Sequence, residues 1–244
     1  MKSLIKSLAI AKKDVLMYYT KGPVVIFGIL LPLFLFLAFS VGRSLPLNFL
    51  IAGLISMTVF FASTSVSPAI APWEGQMRTL ERLISCPIDE KTIILGDIIA
   101  SMTFGVSISA VPILIGVVIG LIPSNPVVLL LGIIASAFCF SCLGLLFSAY
   151  PTNLPSTVMM ISSLIRFPLI FISGIFIPVS EMPEWSRILA YLSPLTYFTD
   201  IARYSFDLMP AFPIYVDLLV ITAFSALFLA LAVELHKKAI YKRI

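Results

Sequence analysis

Six apolar runs of membrane-spanning length constrain this chain more than any other feature: residues 24–41, 47–70, 98–121, 127–149, 155–177 and 213–235. A bilayer core of roughly 30 Å takes about 20 apolar residues per helix. The runs fill more than half of the 244 residues, which leaves no stretch for a soluble domain of ordinary size. Only 11% of the residues are charged, against roughly 25% in soluble domains. The first run begins after some twenty residues and outlasts a signal-peptide core, so it reads as a span and not as a leader. The expected fold is an all-α integral membrane protein with six transmembrane helices. It forms one domain over 1–244, divided into 1–21, 24–177, 178–212 and 213–244.

The basic residues set the expected orientation. Lys2, Lys6, Lys12, Lys13 and Lys21 precede the first span, Arg78, Arg82 and Lys91 follow the second, and Lys237, Lys238, Lys242 and Arg243 close the chain. These twelve share one side if there are six spans. Arg43, Arg187 and Arg203 lie on the other, and Arg166 falls inside a run. The positive-inside rule then places both termini in the cytoplasm of a cell-membrane protein. The net charge of +4 is spread over the ends of apolar runs, which predicts topology and no nucleic-acid partner.

Three shorter segments are amphipathic. In 1–20, Leu4, Leu8, Ala11, Val15, Leu16 and Tyr19 recur at helical spacing, and Lys2, Lys6, Lys12, Lys13 and Asp14 lie mostly off that stripe. This predicts a helix resting on the lipid surface. Residues 71–97 are the longest polar stretch on the basic side. Within them Met77, Leu80, Leu83 and Ile84 form one face of a short helix that Pro87 stops. Such a helix suits a partner's groove. On the opposite side, Trp185, Ile188, Leu189 and Leu192 form one stripe. Leu195, Phe198, Ile201 and Ala202 form a second after Ser193-Pro194, which supplies an N-cap and a first-turn proline. Asp200 and Arg203 pair at i, i+3, and Trp185, Tyr191 and Tyr197 suit headgroup depth. Two short outer re-entrant or interfacial helices are expected there.

Catalytic chemistry finds little support. There is no G-x-x-x-x-G-K-[ST], so no nucleotide site of the chain's own is expected. His236 is the single histidine, which excludes H-E-x-x-H metal sites. Cys139 and Cys142 read as small packing residues within a span. Gly96-Asp97 resembles a fragment of an intramembrane aspartyl protease, but no second buried aspartate is expected close enough to share its proton. Polar residues inside spans remain. Ser56, Ser63 and Ser67, with Thr64, share one face of the second run and are expected to meet another helix or a wet cavity. Arg166 sits midway along the fifth run, where a charge costs on the order of 2.5–3.5 kcal/mol. Its two readings are a cavity residue facing substrate and a structural contact. Pro168 frees a carbonyl one turn back that can solvate it.

Two motifs carry a resemblance. Trp73-Glu74-Gly75-Gln76-Met77-Arg78-Thr79-Leu80-Glu81-Arg82-Leu83-Ile84-Ser85-Cys86-Pro87 resembles the cytoplasmic E-x-x-x-G-T-L-E-x-L-x-x-T-P segment of type-2 ABC exporter permeases. Ile172-Ser173-Gly174-Ile175-Phe176-Ile177-Pro178, with Met182-Pro183, Trp185, Tyr191-Leu192-Ser193-Pro194-Leu195-Thr196-Tyr197 and Asp200, resembles that family's S-G-x-F-x-P … L-P … Y-L-N-P-L-T-Y … D signature. The resemblance covers essentially the whole chain. It implies a coupling helix holding Glu74, Thr79, Leu80, Glu81, Arg82 and Leu83, seated on an ABC ATPase subunit that binds ATP and Mg. It implies a second permease subunit, identical or not. The path between the two would be lined by the second and fifth spans, here Ser56, Ser63, Ser67 and Arg166. The outer helices, with Pro178, Trp185, Pro194, Tyr197 and Asp200, would cap it. Two positions depart: Arg78 stands where the family has glycine, and Ser193 replaces the usual Asn, whose capping it can do. The implied function is export of an amphipathic small molecule, drug or lipid-like substrate, with no cofactor on this chain. Alternatives are a gated channel or secondary transporter, or a non-transporting membrane subunit. The acidic residues Asp97, Asp217 and Glu234 lie at span ends and not in an intramembrane relay.

Overall fold

The computed structural model describes residues 2–19, 24, 26–41, 45–79, 85, 86 and 88–243, and it contains no strand among them. Helix α1, Lys2–Asp14, continues into a π-helical turn, Val15–Tyr19. A second π-helical turn, Ile26–Leu30, leads into α2, Leu31–Ser40. Then come α3, Leu47–Ser65, α4, Ser67–Gln76, α5, Glu90–Val118, α6, Pro126–Ser148, and α7, Pro155–Ile172. A single 3-10 turn, Val179–Glu181, precedes α8, Glu184–Tyr191, α9, Pro194–Tyr204, and α10, Ile214–Arg243. Prolines open α4, α6, α7 and α9, where a first-turn position has no helical use for the N–H they lack.

Five helices are long and apolar enough to cross a membrane: Leu47–Gln76, which joins α3 to α4, then α5, α6, α7 and Ile214–Lys237 of α10. The run at 24–41, expected as a first span, holds a shorter apolar helix, Gly28–Ala38. At 1.5 Å per residue it covers only about half of a bilayer core. The polar stretch expected at 71–97 is also shorter than its composition suggests. Helix α4 runs through Trp73 and Glu74 to Gln76, and α5 starts at Glu90; between them Thr79 and Ser85 are also helical. The expected coupling residues Leu80, Glu81, Arg82 and Leu83 lie outside the described residues, as do Lys21, Ile84 and Pro87.

Helix α3 is the axle. From Ile51 to Ser65 every side chain is buried, with α5, α6 and α9 around it. Edge-on rings tie the layers together: Phe60 of α3 meets Phe140 of α6 at 5.0 Å, and Phe140 meets Phe198 of α9 at 6.2 Å. The rod bends at Val66 (φ −107°), because Pro68 cannot donate the next helical hydrogen bond. Small residues let the helices close up. A Cβ at Gly105 of α5 would lie 2.0 Å from the Ser63 hydroxyl, and one at Gly144 of α6 2.1 Å from that of Ser67.

At the opposite end from α1, helix α9 is enclosed by protein from Pro194 to Arg203. Tyr197, expected at headgroup depth, is 8% exposed and donates its hydroxyl to the Tyr191 carbonyl at 2.9 Å. Helix α8 instead presents Trp185 and Ile188, and Leu192 follows at its C-cap, each more than 60% exposed. The structure corrects one further expectation here and refines another. Ser193 occupies the N-cap with extended backbone (φ −99°, ψ 121°), but its hydroxyl makes no cap bond and has no partner. Its carbonyl takes the Thr196 N–H instead, at 3.2 Å. Asp200 and Arg203 still interact as opposite charges but make their hydrogen bonds to other groups. Asp200 accepts the Ala211 and Phe212 N–H groups at 2.8 and 2.9 Å, while Arg203 donates to the Gly174 carbonyl and lies 4.3 Å over the Phe49 ring. Gly174 has φ +85° and closes the S-G-x-F-x-P turn, where a side chain would also strike Val179 at 2.9 Å.

Candidate translocation and coupling sites

Arg166 projects from α7 into the bend of the central rod and is 1% exposed. Its Nη1 donates to the Thr64 carbonyl at 3.2 Å, and its Nε to the Ser162 carbonyl at 3.4 Å. The Thr64 and Ser163 hydroxyls stand at 3.5 Å, and the Phe61 ring at 6.0 Å. The Thr64 carbonyl is available for a simple reason. Its helical donor would be the N–H four residues on, and that residue is Pro68. The freed carbonyl that solvates the guanidinium therefore comes from Pro68 on a neighbouring helix, and not from Pro168 on Arg166's own. The charge is met by backbone and hydroxyl dipoles, which offset part of the cost of its burial.

The serine face of α3 and α4 is spent inside the chain. Ser56 donates to the Ala52 carbonyl at 2.9 Å, Ser67 to the Ser63 carbonyl at 3.4 Å, and the Ser63 hydroxyl has no partner. All three side chains are fully buried. Ser63 fits the gap at Gly105 and Ser67 the gap at Gly144, so these hydroxyls let helices approach closely. None of the three lines the pocket beside this junction. Cys139 and Cys142 are free, buried thiols in α6.

A pocket of about 390 Å³ does open beside this junction, between α4 and the first turns of α7. Trp73, Met159, Met160 and Val24 give it an apolar wall, and Ser65, Ser156 and Ser163 supply hydroxyls. Ser163 also touches Arg166, so the pocket's polar edge adjoins the buried charge. The outward side of α7 continues the apolar surface with Met160 at 69% and Leu164 at 75% exposure.

The α1 end is built differently from the sequence expectation. Helix α1 lies against the start of α5, where Ser7 donates to the Thr92 carbonyl at 3.0 Å and Ile10 occupies the space a side chain at Gly96 would need. Lys13 pairs with Asp14 at 2.9 Å and with Glu74 of α4. Burial alone would lower the Lys13 pKa, but the two carboxylates more than offset this and hold its ammonium above the ordinary value. Tyr18 stacks on Trp73 at 5.4 Å, and burial pushes its phenol up to about 12. Asp14, expected off the apolar stripe, is fully buried on the face of α1 that packs on the start of α5, and its charge interacts with that of Asp97. A second aspartate therefore does face Asp97, contrary to expectation. It arrives from a helix 83 residues away in sequence, which spacing alone does not reveal. The nearest sequence signal is Gly96, a socket beside an acidic residue. Neither carboxyl lines the pocket beside Trp73.

The expected coupling residues divide. Glu74 points inward to Lys13 and is 1% exposed. The Thr79 hydroxyl donates to the Glu74 carbonyl at 3.3 Å and so finishes α4. Between them Arg78 has φ +53°, a left-handed conformation that costs most residues roughly 1–2 kcal/mol and glycine almost nothing. The family's glycine position thus keeps a glycine-like backbone under an arginine. Gly75 abuts Asn153 of the 149–154 turn, with a hypothetical Cβ 2.5 Å from its side-chain oxygen.

The family model described as "ABC-2 type transporter" matches residues 7–206 of the chain. Among curated proteins, none matches the sequence.

Proposed function

Because the chain belongs to the ABC-2 type transporter family, a family of multi-pass membrane transport subunits, we propose that it is the permease of an exporter driven by a separate ABC ATPase. ATP and Mg would bind that partner. The 77–89 segment would rest on it and carry the stroke into α4 and α5. Two permeases would face each other across α4 and α7, with both termini and α1 on the cytoplasmic side and the 24–41 run completing six crossings. α8 and α9 would cap the outer end. The stroke would shift the pair from an inward- to an outward-facing state, and the ATPase would supply the difference in free energy between them.

The observation that carries this reading is the pocket between α4 and α7. It is apolar with a hydroxyl edge and adjoins the buried Arg166, a character that fits an amphipathic small molecule, drug or lipid-like substrate. The test is reconstitution with the cognate ATPase in lipid vesicles, measuring substrate-stimulated ATP turnover and export. Met160→Trp and Ser163→Leu narrow the pocket and should raise the substrate concentration needed for half-maximal stimulation by tenfold or more, with basal turnover kept. Arg166→Ala should alter substrate handling while the pair still assembles. Unchanged stimulation in the pocket variants, or loss of assembly in Arg166→Ala, refutes the assignment.

A further inference from the structure

The geometry points to a proton-binding site between Asp14 and Asp97, whose occupancy decides whether α1 stays seated on α5. Three carboxyl groups meet one ammonium here: Asp14 from α1, Glu74 from α4 and Asp97 from α5, around Lys13. Asp14 is fully buried, Glu74 is 1% exposed and Asp97 4%. The remaining titratable groups facing the cluster are the Tyr18 and Tyr19 phenols, both buried. No second cation faces it among the described residues. Lys13 is committed to Asp14 and Glu74, and Asp97 Oδ1 has no donor at all. Two carboxylates cannot bond each other, but a carboxylic acid and a carboxylate can. One proton shared by Asp14 and Asp97 satisfies both and removes one of the two surplus negative charges.

The sign of the pH effect follows. Burial raises Asp14 above the usual carboxylate range, and Lys13 offsets only part of that rise. The folded protein therefore holds this proton more tightly than the unfolded chain does. Its stabilisation is complete at acid pH and is lost as the pH rises through the raised value. Two charged aspartates then repel, and α1 is pushed away from Gly96 and Thr92. Glu74 closes the helix that leads into 77–89, so loss of the proton loosens the base of that segment too. The proton site stands on the fold alone. Its influence on transport rests on the reading above, and the test below uses neither ATPase nor substrate.

Trp73 stacks on Tyr18 at the edge of the cluster and is one of two tryptophans. In a Trp185→Phe background it is the sole indole reporter. The full chain in lipid vesicles should show a step in Trp73 emission as the pH is raised from acid to alkaline. The step should vanish in Asp97→Asn and in Asp14→Asn, where an amide donates permanently in place of the shared proton. Glu74→Gln should keep the step but move its midpoint to lower pH by about one unit, a tenfold change in proton affinity. Difference infrared spectroscopy of the unmodified chain should show a protonated carboxyl band at acid pH that disappears over the same range. A step that survives both Asn variants, or no such band in the unmodified protein, overturns the inference.

Discussion

Replacing Gly105 by alanine tests whether the serine face of α3 is a packing surface. The new Cβ would sit 2.0 Å from the Ser63 hydroxyl, 3.1 Å from its Cβ and 3.4 Å from its Cα. Carbon atoms prefer about 3.5–4.0 Å. The hydroxyl has no hydrogen bond to lose, so it can rotate away for about 0.5–1.5 kcal/mol. The Ser63 Cβ cannot, and α3 and α5 must separate by a few tenths of an ångström along a fully enclosed contact. Overpacking of this kind costs about 1–3 kcal/mol. A loss of about 2 kcal/mol corresponds to a fall of about 4–8 °C in Tm for a domain of this size. The assay is thermal unfolding in a fixed detergent or lipid, followed by helical circular dichroism, for Gly105→Ala, Ser63→Gly and the double variant. The double variant should recover most of the loss, with a coupling of about 1 kcal/mol or more in the cycle. If Ser63 instead lined a water-filled path, alanine at 105 would lower transport and leave Tm unchanged. That result, or zero coupling, refutes the packing argument.

Other expectations follow from the same geometry. Arg78→Gly should raise stability by about 1 kcal/mol in the same assay by relieving a left-handed backbone, while Arg78→Ala should not; equal gains would show that backbone strain is not the cause. Gly96→Ala pushes into Ile10 at 2.7 Å and the Ser7 carbonyl at 3.0 Å, so it should free α1 for limited proteolysis while α5 and α6 stay protected, and unchanged cleavage would refute the role of Gly96 in seating α1 on α5. Pro68→Ala returns a helical donor to the Thr64 carbonyl that Arg166 now uses; it should straighten the rod and weaken the α3–α7 contact by about 1 kcal/mol or more, which a spin-label distance between these helices would reveal as a narrow distribution becoming broad.

The spans were legible because length and hydropathy act locally: α3 to α7 and α10 fall where the apolar runs place them. Element ends were less so. Asp89 and Glu90 start α5 well before its apolar stretch because a helix does not stop at the lipid boundary, and Trp73 and Glu74 continue α4 for the same reason. In the 24–41 run, apolar content does not reveal the π-helical turn Ile26–Leu30 and Pro32, which leave Leu31–Ser40 as its regular α-helix. At the sites, sequence located Arg166 as a buried charge but assigned its solvation to the wrong proline, because Pro68 acts across helices. Asp14 was hidden for a related reason. On an isolated amphipathic helix a carboxylate belongs on the wet side, and only a neighbour offering Asp97 and Glu74 makes its burial tolerable.

The enclosure of α9 limits how the distal end can open. Ten successive residues of that helix lie inside the fold, and its Phe198 is keyed through Phe140 to Phe60 at the molecular axis. Swinging α9 aside as a hinged flap would tear this aromatic spine and bare the Asp200 anchor, an expense far above that of sliding whole chains. In the pair proposed above, an outward aperture would then form along the seam between the two subunits, each moving as a stiff block with its cap attached.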